Sequence, residues 1–139
     1  MTSKNVRAIF DTNVWISFLI GKSLSSIKQY ISDGSITIII TEQLLLEIKE
    51  VTGRKKLRKY FPKESVKEFI ELLEAIAEKV DIKPKHFTCK DPKDNFLLDL
   101  IDFSKADYLV TGDKDLLHLN PFKTAQILTP AEFEKQLKT

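Results

Sequence analysis

The stretch VRAIFDTN, residues 6–13, decides the fold class of this chain. Its first five residues are a short, β-forming apolar run that predicts a strand, and the strand leads directly into an aspartate, Asp11. The apolar residues of the run do not alternate with polar ones. A continuous run of this kind is typical of a strand covered on both faces, as in a parallel sheet flanked by helices.

The same criteria, applied outward from this strand, predict further strands with helical patterns between them. The strands are expected at Ile36 to Ile40, Tyr108 to Thr111 and Gln126 to Leu128, with another around Val80 to Ile82. Apolar residues recur at helical spacing at Leu44, Leu45 and Ile48, and again from Val66 to Val80. Alternating strands and helices imply crossovers into one sheet. We therefore expect an α/β fold with three layers, α/β/α, around a central parallel sheet of about four to five strands.

Helix starts are marked by Asp91-Pro92-Lys93-Asp94 and by Thr129-Pro130-Ala131-Glu132. Each has a capping residue, a proline at the first helical position and an acid at the third, so helices are predicted to begin at Asp91 and Thr129. Asp115 is interpreted in the same way, as a residue of the first turn of a short helix. Three further aspartates are expected to face solvent: Asp99, Asp102 and Asp107.

The composition indicates one domain spanning residues 1–139, because a chain of this length with 42% hydrophobic residues can bury one core. The single cysteine, Cys89, cannot form an internal disulfide, which is typical of a reduced, intracellular protein. No apolar run approaches the roughly 20 residues that cross a bilayer, and no apolar signal segment precedes the first strand. The expected location is therefore the cytoplasm, with no membrane partner.

Acidic side chains follow the predicted strands at the points where ligands bind to open parallel sheets. Asp11 comes directly after the first strand, Asp113 comes shortly after the strand that ends at Thr111, and Asp94 lies in the first turn of the helix leading into that strand. Glu47 lies about 9 Å along the helix that follows Thr41, at 1.5 Å per residue. We expect all four acids to face one crevice.

Several carboxylates in one crevice repel each other unless a cation neutralises them. A set of oxygen ligands without histidine or cysteine favours Mg²⁺ or Mn²⁺. Such an ion suits phosphodiester hydrolysis, because it lowers the pKa of a bound water and stabilises the leaving oxygen. For any single aspartate, helix capping is the alternative explanation, but an acid at the end of a buried strand, such as Asp11, is costly unless something binds it.

Positive and negative charges are segregated along the chain, although the net charge is only +2. Seven of the ten aspartates lie between Asp91 and Asp115. A basic cluster lies mid-chain, at Arg54, Lys55, Lys56, Arg58 and Lys59. It would contact nucleic-acid phosphates without reading sequence, or it is a solvated helix end or loop; the sequence leaves both interpretations open.

Taken together, the motifs resemble the PIN-domain ribonucleases. The resemblance rests on the order and spacing of four elements: Asp11-Thr12-Asn13-Val14, the mid-chain Glu47, Asp91-Pro92-Lys93-Asp94-Asn95, and Thr111-Gly112-Asp113-Lys114-Asp115-Leu116-Leu117. With the closing Ile127-Leu128-Thr129-Pro130-Ala131-Glu132-Phe133 it covers essentially the whole chain. More narrowly, the chain is similar to the VapC-like toxin components of toxin–antitoxin pairs.

The resemblance implies Mg²⁺ or Mn²⁺ held by an acidic quartet and endonucleolytic cleavage of RNA. The quartet carries over as Asp11, Glu47, Asp94 and Asp113, with Glu42 and Glu50 as alternatives for the helix-borne member. Supporting polar positions carry over as Asn13 and Thr111, and an extra acid as Asp115. The resemblance also implies a cognate antitoxin protein as a partner and a homodimer.

Two other interpretations remain open from the sequence. A haloacid-dehalogenase-like, Mg²⁺-dependent phosphatase also has an aspartate after its first strand, but it needs a second acid two residues later, where this chain has Asn13. The other is a non-catalytic module that uses the same fold to hold RNA or an antitoxin, because fold does not guarantee function.

Overall fold

The structure, a computed structural model, describes residues 5–20 and 25–138. Within those residues the strands are β1 (Val6–Phe10), β2 (Ile36–Ile40), β3 (Glu78–Lys79), β4 (Tyr108–Val110) and β5 (Gln126–Leu128). The helices are α1 (Thr12–Ile20), α2 (Ser25–Ser32), α3 (Glu42–Thr52), α4 (Lys63–Ile76), α5 (Asn95–Ser104), α6 (Lys114–Leu117) and α7 (Pro130–Lys138). A short 3₁₀ helix, Pro92–Asp94, leads into α5.

The five strands form one parallel sheet in the order β3-β2-β1-β4-β5. In the register of the central pairs, Val6 lies opposite Ile36 and Ala8 lies opposite Tyr108. Consecutive strand residues point to opposite faces of a sheet. Because successive residues at the ends of β1 and β2 are all buried, helices cover both faces of the sheet. The expected three-layer α/β fold is confirmed.

Helix capping follows the sequence signals at both predicted starts. The Asp91 carboxylate accepts a hydrogen bond from the Lys93 backbone N–H at 3.0 Å, and the 3₁₀ turn and α5 follow it. At the start of α7, Thr129 and Glu132 cap reciprocally: the Glu132 N–H donates to the Thr129 hydroxyl, and the Thr129 N–H donates to the Glu132 carboxylate. Both predicted helix starts are confirmed.

The end of α4 and the edge strand β3 differ from the prediction. The helical spacing predicts a helix that continues to Val80 and a strand around 80–82, but α4 ends at Ile76 and β3 is Glu78–Lys79. The backbone of β3 pairs with Ile39 and Ile40 of β2. Pairing with β2 therefore determines the position of β3, whose two exposed charged residues carry no local strand signal.

Two of the three aspartates expected to face solvent are buried, which corrects that prediction. Asp99 accepts hydrogen bonds from the backbone N–H groups of Lys85 and His86, at 3.0 and 2.8 Å. Asp102 lies 2.9 Å from His86 Nε2 and 3.1 Å from Lys85 Nζ. These contacts hold the segment around Lys85 and His86 against α5, and they provide the hydrogen-bond partners that buried carboxylates require. Asp107, as expected, is exposed.

No helix in the described ranges, 5–20 and 25–138, is long and apolar enough to cross a membrane.

Candidate active site

Asp11 lies at the carboxyl end of the central strand β1, where the chain turns into α1. Its backbone N–H donates to the Val110 carbonyl at 3.1 Å, which continues the pairing of β1 with β4 by one residue. Its Oδ1 accepts a hydrogen bond from the Val14 N–H at 2.9 Å, so the carboxylate also caps the first turn of α1. The side chain is nearly buried, with the residue only 7% exposed.

Thr111 joins Asp11 to the loop that carries Asp113. Thr111 is fully buried at the end of β4, and its hydroxyl donates to Asp11 Oδ2 while accepting from the Asp113 backbone N–H at 3.0 Å. Asp113 in turn accepts from the Asp115 N–H at 2.9 Å and caps α6. One hydroxyl therefore fixes the positions of two acids that lie at the ends of neighbouring strands.

The other two acids come from helices that flank the sheet edge. Asp94 ends the 3₁₀ turn before α5, and its N–H donates to the Asp91 carbonyl at 3.0 Å. Glu47 lies on α3, directly before the buried Ile48, and its side chain is half-buried.

All four predicted acids line one cavity of about 250 Å³, which we call the acidic cavity. Its lining residues are Asp11, Thr12, Asn13, Glu47, Val51, Arg54, Asp91, Lys93, Asp94, Leu97 and Asp113. The cavity thus combines the carboxyl ends of β1 and β4 with α3 and the start of α5. The alternative acids Glu42 and Glu50 do not line it.

The surroundings of these acids disfavour their negatively charged form. Burial raises the pKa of Asp11, and the hydrogen bonds from Thr111 and Val14 reduce that rise. Burial and then the charges of Asp113, Asp91 and Asp11 raise the pKa of Asp94 to about 6. Burial, followed by repulsion from Asp94 and Asp11, raises the pKa of Glu47. The cavity is therefore short of positive charge.

The donor set suits a hard divalent cation. In the part of the chain that the structure describes, no three carboxylate, histidine or cysteine side chains are grouped closely enough to form a preformed metal cage. Mg²⁺ does not need one, because it keeps several waters and is commonly held by one or two carboxylates together with substrate phosphates. The mutual repulsion that raises the pKa of Asp94 is relieved when a cation binds. The residues present therefore fit Mg²⁺ or Mn²⁺ held through few direct contacts.

The remaining predicted site residues fall into three positions relative to the acidic cavity. Asn13 lines it, Thr111 lies behind it as the link between two acids, and Asp115 is exposed and does not line it. Of the basic cluster only Arg54 reaches the cavity. The other four cations do not line it and are exposed in the turns between α3 and α4: Lys55, Lys56, Arg58 and Lys59.

Sequence reasoning missed Lys93 and the double role of Asp91. Asp91, interpreted as a helix cap, both caps and lines the cavity, and Lys93 lines it as well. The available signal was their position in the same short segment as Asp94, at the start of a helix that leads to β4.

The acidic cavity collects acids from two strand ends and two helices at one edge of a parallel sheet. This arrangement defines a class of small α/β domain whose chemistry takes place at the carboxyl ends of the strands. Residues 7–115 match the sequence model of the PIN domain, and the chain belongs to that family. PIN domains are in general nucleases and typically use divalent metal ions.

A solved structure has the same fold. The crystal structure of PAE2754 from Pyrobaculum aerophilum superposes with a TM-score of 0.63, covering 99% of this chain and 99% of that chain at 14% sequence identity. At that identity the similarity shows the fold alone. No curated protein matches this chain.

Proposed function

We propose that this protein is a metal-dependent endoribonuclease whose catalytic residues are Asp11, Glu47, Asp94 and Asp113. The observation that carries the proposal is the convergence of these four acids on one cavity from separate elements of the fold. Membership of the PIN family supports the same reaction class and leaves the phosphatase alternative without support.

In this proposal the four acids hold Mg²⁺ or Mn²⁺ and the surrounding residues place the RNA. A bound divalent ion would supply a water of lowered pKa and neutralise charge on the leaving oxygen. Thr111 keeps Asp11 oriented and Asn13 adds a polar group at the cavity wall. Arg54 and Lys93, the two cations of the lining, are placed to contact RNA phosphates.

The basic cluster extends this phosphate-binding surface beyond the cavity. Lys55 and Lys56 are exposed and form no ion pair within the described residues, so their charges are available to a polyanion. Arg54 leads from the cavity to this segment. Such contacts position an RNA strand without reading its sequence.

The direct test is incubation of mixed RNA with the protein and Mg²⁺, Mn²⁺ or excess chelator. Cleavage is expected with either metal, none with chelator, and none from Asp11→Asn, which keeps the shape and removes the charge. Asp81→Asn, at an exposed position outside the acidic cavity, is the matched control and should cleave normally. Intact RNA in every lane with folded wild-type protein would contradict the proposal.

A non-catalytic RNA- or antitoxin-binding module is the second candidate. It is favoured by the two cations in the lining of the acidic cavity, Arg54 and Lys93, which can hold an RNA phosphate without cleavage. RNA that binds tightly in the presence of Mg²⁺ and Mn²⁺ but stays intact would favour this candidate over the nuclease.

We further propose that the nuclease is the toxin of a toxin–antitoxin pair, regulated by a cognate antitoxin protein and acting as a homodimer in the cytoplasm. The support is the similarity of its motifs to those of toxin components. Induced expression in a bacterial host should arrest growth, and Asp11→Asn should not. Normal growth with abundant, RNA-cleaving wild-type protein would exclude the toxin role while leaving the nuclease intact.

A further inference from the structure

A second cavity adjoins the acidic cavity on the outer face of α3. Its volume is about 300 Å³, at the lower end of the range for small-ligand pockets, and we call it the α3 pocket. It shares three lining residues with the acidic cavity: Glu47, Arg54 and Lys93. It adds three of its own, Gln43, Leu46 and Glu50. A ligand bound at the acidic cavity is therefore in reach of the α3 pocket.

Four of the six lining residues of the α3 pocket lie on one face of α3. Gln43, Leu46, Glu47 and Glu50 recur at three- and four-residue steps, the spacing that places side chains next to each other on a helix. The opposite face of α3 is anchored in the core by fully buried apolar residues: Leu44, Leu45 and Ile48. The pocket-facing groups are thus presented from a rigid element.

Leu46 and Gln43 supply an apolar contact next to a free carboxamide. Leu46 is 54% exposed, although the two leucines before it are buried. The carboxamide of Gln43 has no hydrogen-bond partner among the residues that the structure describes. A single exposed leucine is ordinary on a protein surface. Here, however, Leu46 lines the same pocket as the unpaired amide of Gln43 and two cations.

The two cations of the α3 pocket are available to bind a phosphate. Arg54 pairs with Glu50 at 3.4 Å, and both side chains are more than half exposed. Exposed ion pairs of this kind contribute little to stability, so Arg54 can exchange Glu50 for a phosphate. Lys93 forms no ion pair within the described part of the chain.

From this arrangement we infer that the α3 pocket binds the base of the nucleotide next to the scissile phosphate of single-stranded RNA, and that Gln43 determines which base is preferred there. The inference rests on the proposed ribonuclease function. Leu46 packs against the face of the base, as aromatic and apolar side chains do around extruded bases. The carboxamide offers N–H donors beside a carbonyl acceptor, so it can bind the edge of a base through two hydrogen bonds. Arg54 and Lys93 bind the adjoining phosphate.

The test is a cleavage experiment on a pool of short single-stranded RNAs of random sequence, with Mg²⁺ or Mn²⁺, followed by sequencing of the products. One position flanking the cut should show a base preference of about tenfold, the discrimination expected of one bidentate contact. Gln43→Leu keeps a similar volume and removes both hydrogen-bonding groups, so it should abolish the preference. Gln29→Leu, at an exposed glutamine of α2, is the matched control and should retain it.

The remaining pocket residues give separate signatures in the same assay. Leu46→Ala should raise KM, whereas Leu72→Ala, at a leucine of equal exposure (53%) on α4, should not. Arg54→Ala should weaken cleavage of all sequences alike, because a phosphate contact carries no base information. Glu50→Gln should lower KM, because it releases Arg54 from its carboxylate partner.

The outcomes separate the two proposals. RNA that is cut with no flanking preference, or with a preference that survives in Gln43→Leu, overturns the α3 pocket proposal and leaves the nuclease. RNA that is cut by neither wild-type protein nor any variant overturns both.

Discussion

The Thr111 hydroxyl donates a hydrogen bond to the Asp11 carboxylate across 100 residues of sequence. The same oxygen accepts from the Asp113 backbone N–H, so a fully buried, uncharged side chain sets the relative position of two acids. Groups that orient metal-binding carboxylates in this way commonly matter almost as much as the ligands themselves.

Thr111→Val, which preserves the shape and removes the hydroxyl, is expected to lower metal affinity or cleavage about 10- to 100-fold. It should also reduce the free energy of unfolding by about 1–3 kcal/mol, because it leaves a buried carboxylate oxygen without its donor. Cleavage at varied Mg²⁺ and denaturant unfolding measure the two effects. Thr111→Ser restores the hydroxyl and should recover most of the activity; equal loss in both variants would contradict this role.

Asp94 should make the metal-free protein less stable as the pH rises from about 4 to about 6. Its pKa is raised from 3.8 to about 6, so the folded state holds a proton in that range that the unfolded state has lost. The full shift would correspond to about 3 kcal/mol, and solvent screening at this partly exposed group reduces it to about 1 kcal/mol. Thermal melts in chelator at pH 7 should show a higher melting temperature for Asp94→Asn than for the wild-type protein. In a separate assay with Mg²⁺, Asp94→Asn should have lost cleavage.

Addition of Mg²⁺ or Mn²⁺ to wild-type protein at pH 7 should raise the melting temperature, because a ligand that binds only the folded state stabilises it. The rise should be absent in Asp94→Asn and present in Asp81→Asn. An equal metal effect in all three proteins would place the ion outside the acidic cavity.

Asp102→Asn should lower the free energy of unfolding at pH 7, through weaker hydrogen bonds to His86 and Lys85. The His86 and Lys85 contacts hold the pKa of Asp102 well below its usual range. Such a carboxylate stabilises the fold above its unfolded pKa of about 4, and the contribution falls away at lower pH. The difference between variant and wild type in urea should therefore shrink below pH 4, and a constant difference would argue for a packing effect.

Changing Lys55 and Lys56 together to glutamine should weaken RNA binding uniformly across sequences. The slope of log affinity against log salt should become shallower by about 0.7 for each phosphate of a single strand that the variant no longer binds. The matched control changes two exposed lysines of α7, Lys135 and Lys138, to glutamine, and it should leave the slope unchanged. Titration of RNA over a range of salt, with every protein in the Asp11→Asn background, measures the slope without cleavage.

The sequence was most informative where local chemistry determines structure. The limits of β1, β2 and β5 agree with the prediction because each is a short apolar run closed by a polar or turn residue. The capping signals at Asp91 and Thr129 act within one helical turn and could be recognised without any tertiary information.

It was least informative where a distant partner determines the outcome. β3 consists of Glu78 and Lys79, whose strand conformation comes from pairing with β2, and the helical spacing of Ala77 and Val80 concealed the end of α4. The burial of Asp102 likewise depends on His86, sixteen residues earlier in the chain.

The acidic cavity falls between these cases. The positions of Asp11 and Asp113 could be predicted because strand ends in a parallel sheet share one edge. Glu47 and Asp94 lie on helical segments, and their positions were predicted from their distance along the chain from neighbouring strands. The contribution of Lys93 and the neighbouring α3 pocket could not, because both depend on how α3 and the 3₁₀ turn lie against each other.

The central place of β1 in the sheet has a consequence during protein synthesis. β1 is made long before its neighbour β4, which lies a hundred residues later in the chain, with Ala8 opposite Tyr108. At about 5–20 residues per second, the ribosome needs roughly 5–20 s to supply that neighbour. During this interval Asp11 has neither Thr111 nor Asp113 beside it. Under the proposed ribonuclease function, the chain would stay inactive until the loop that carries Asp113 has been made, while the ribosome's own RNA is the nearest substrate.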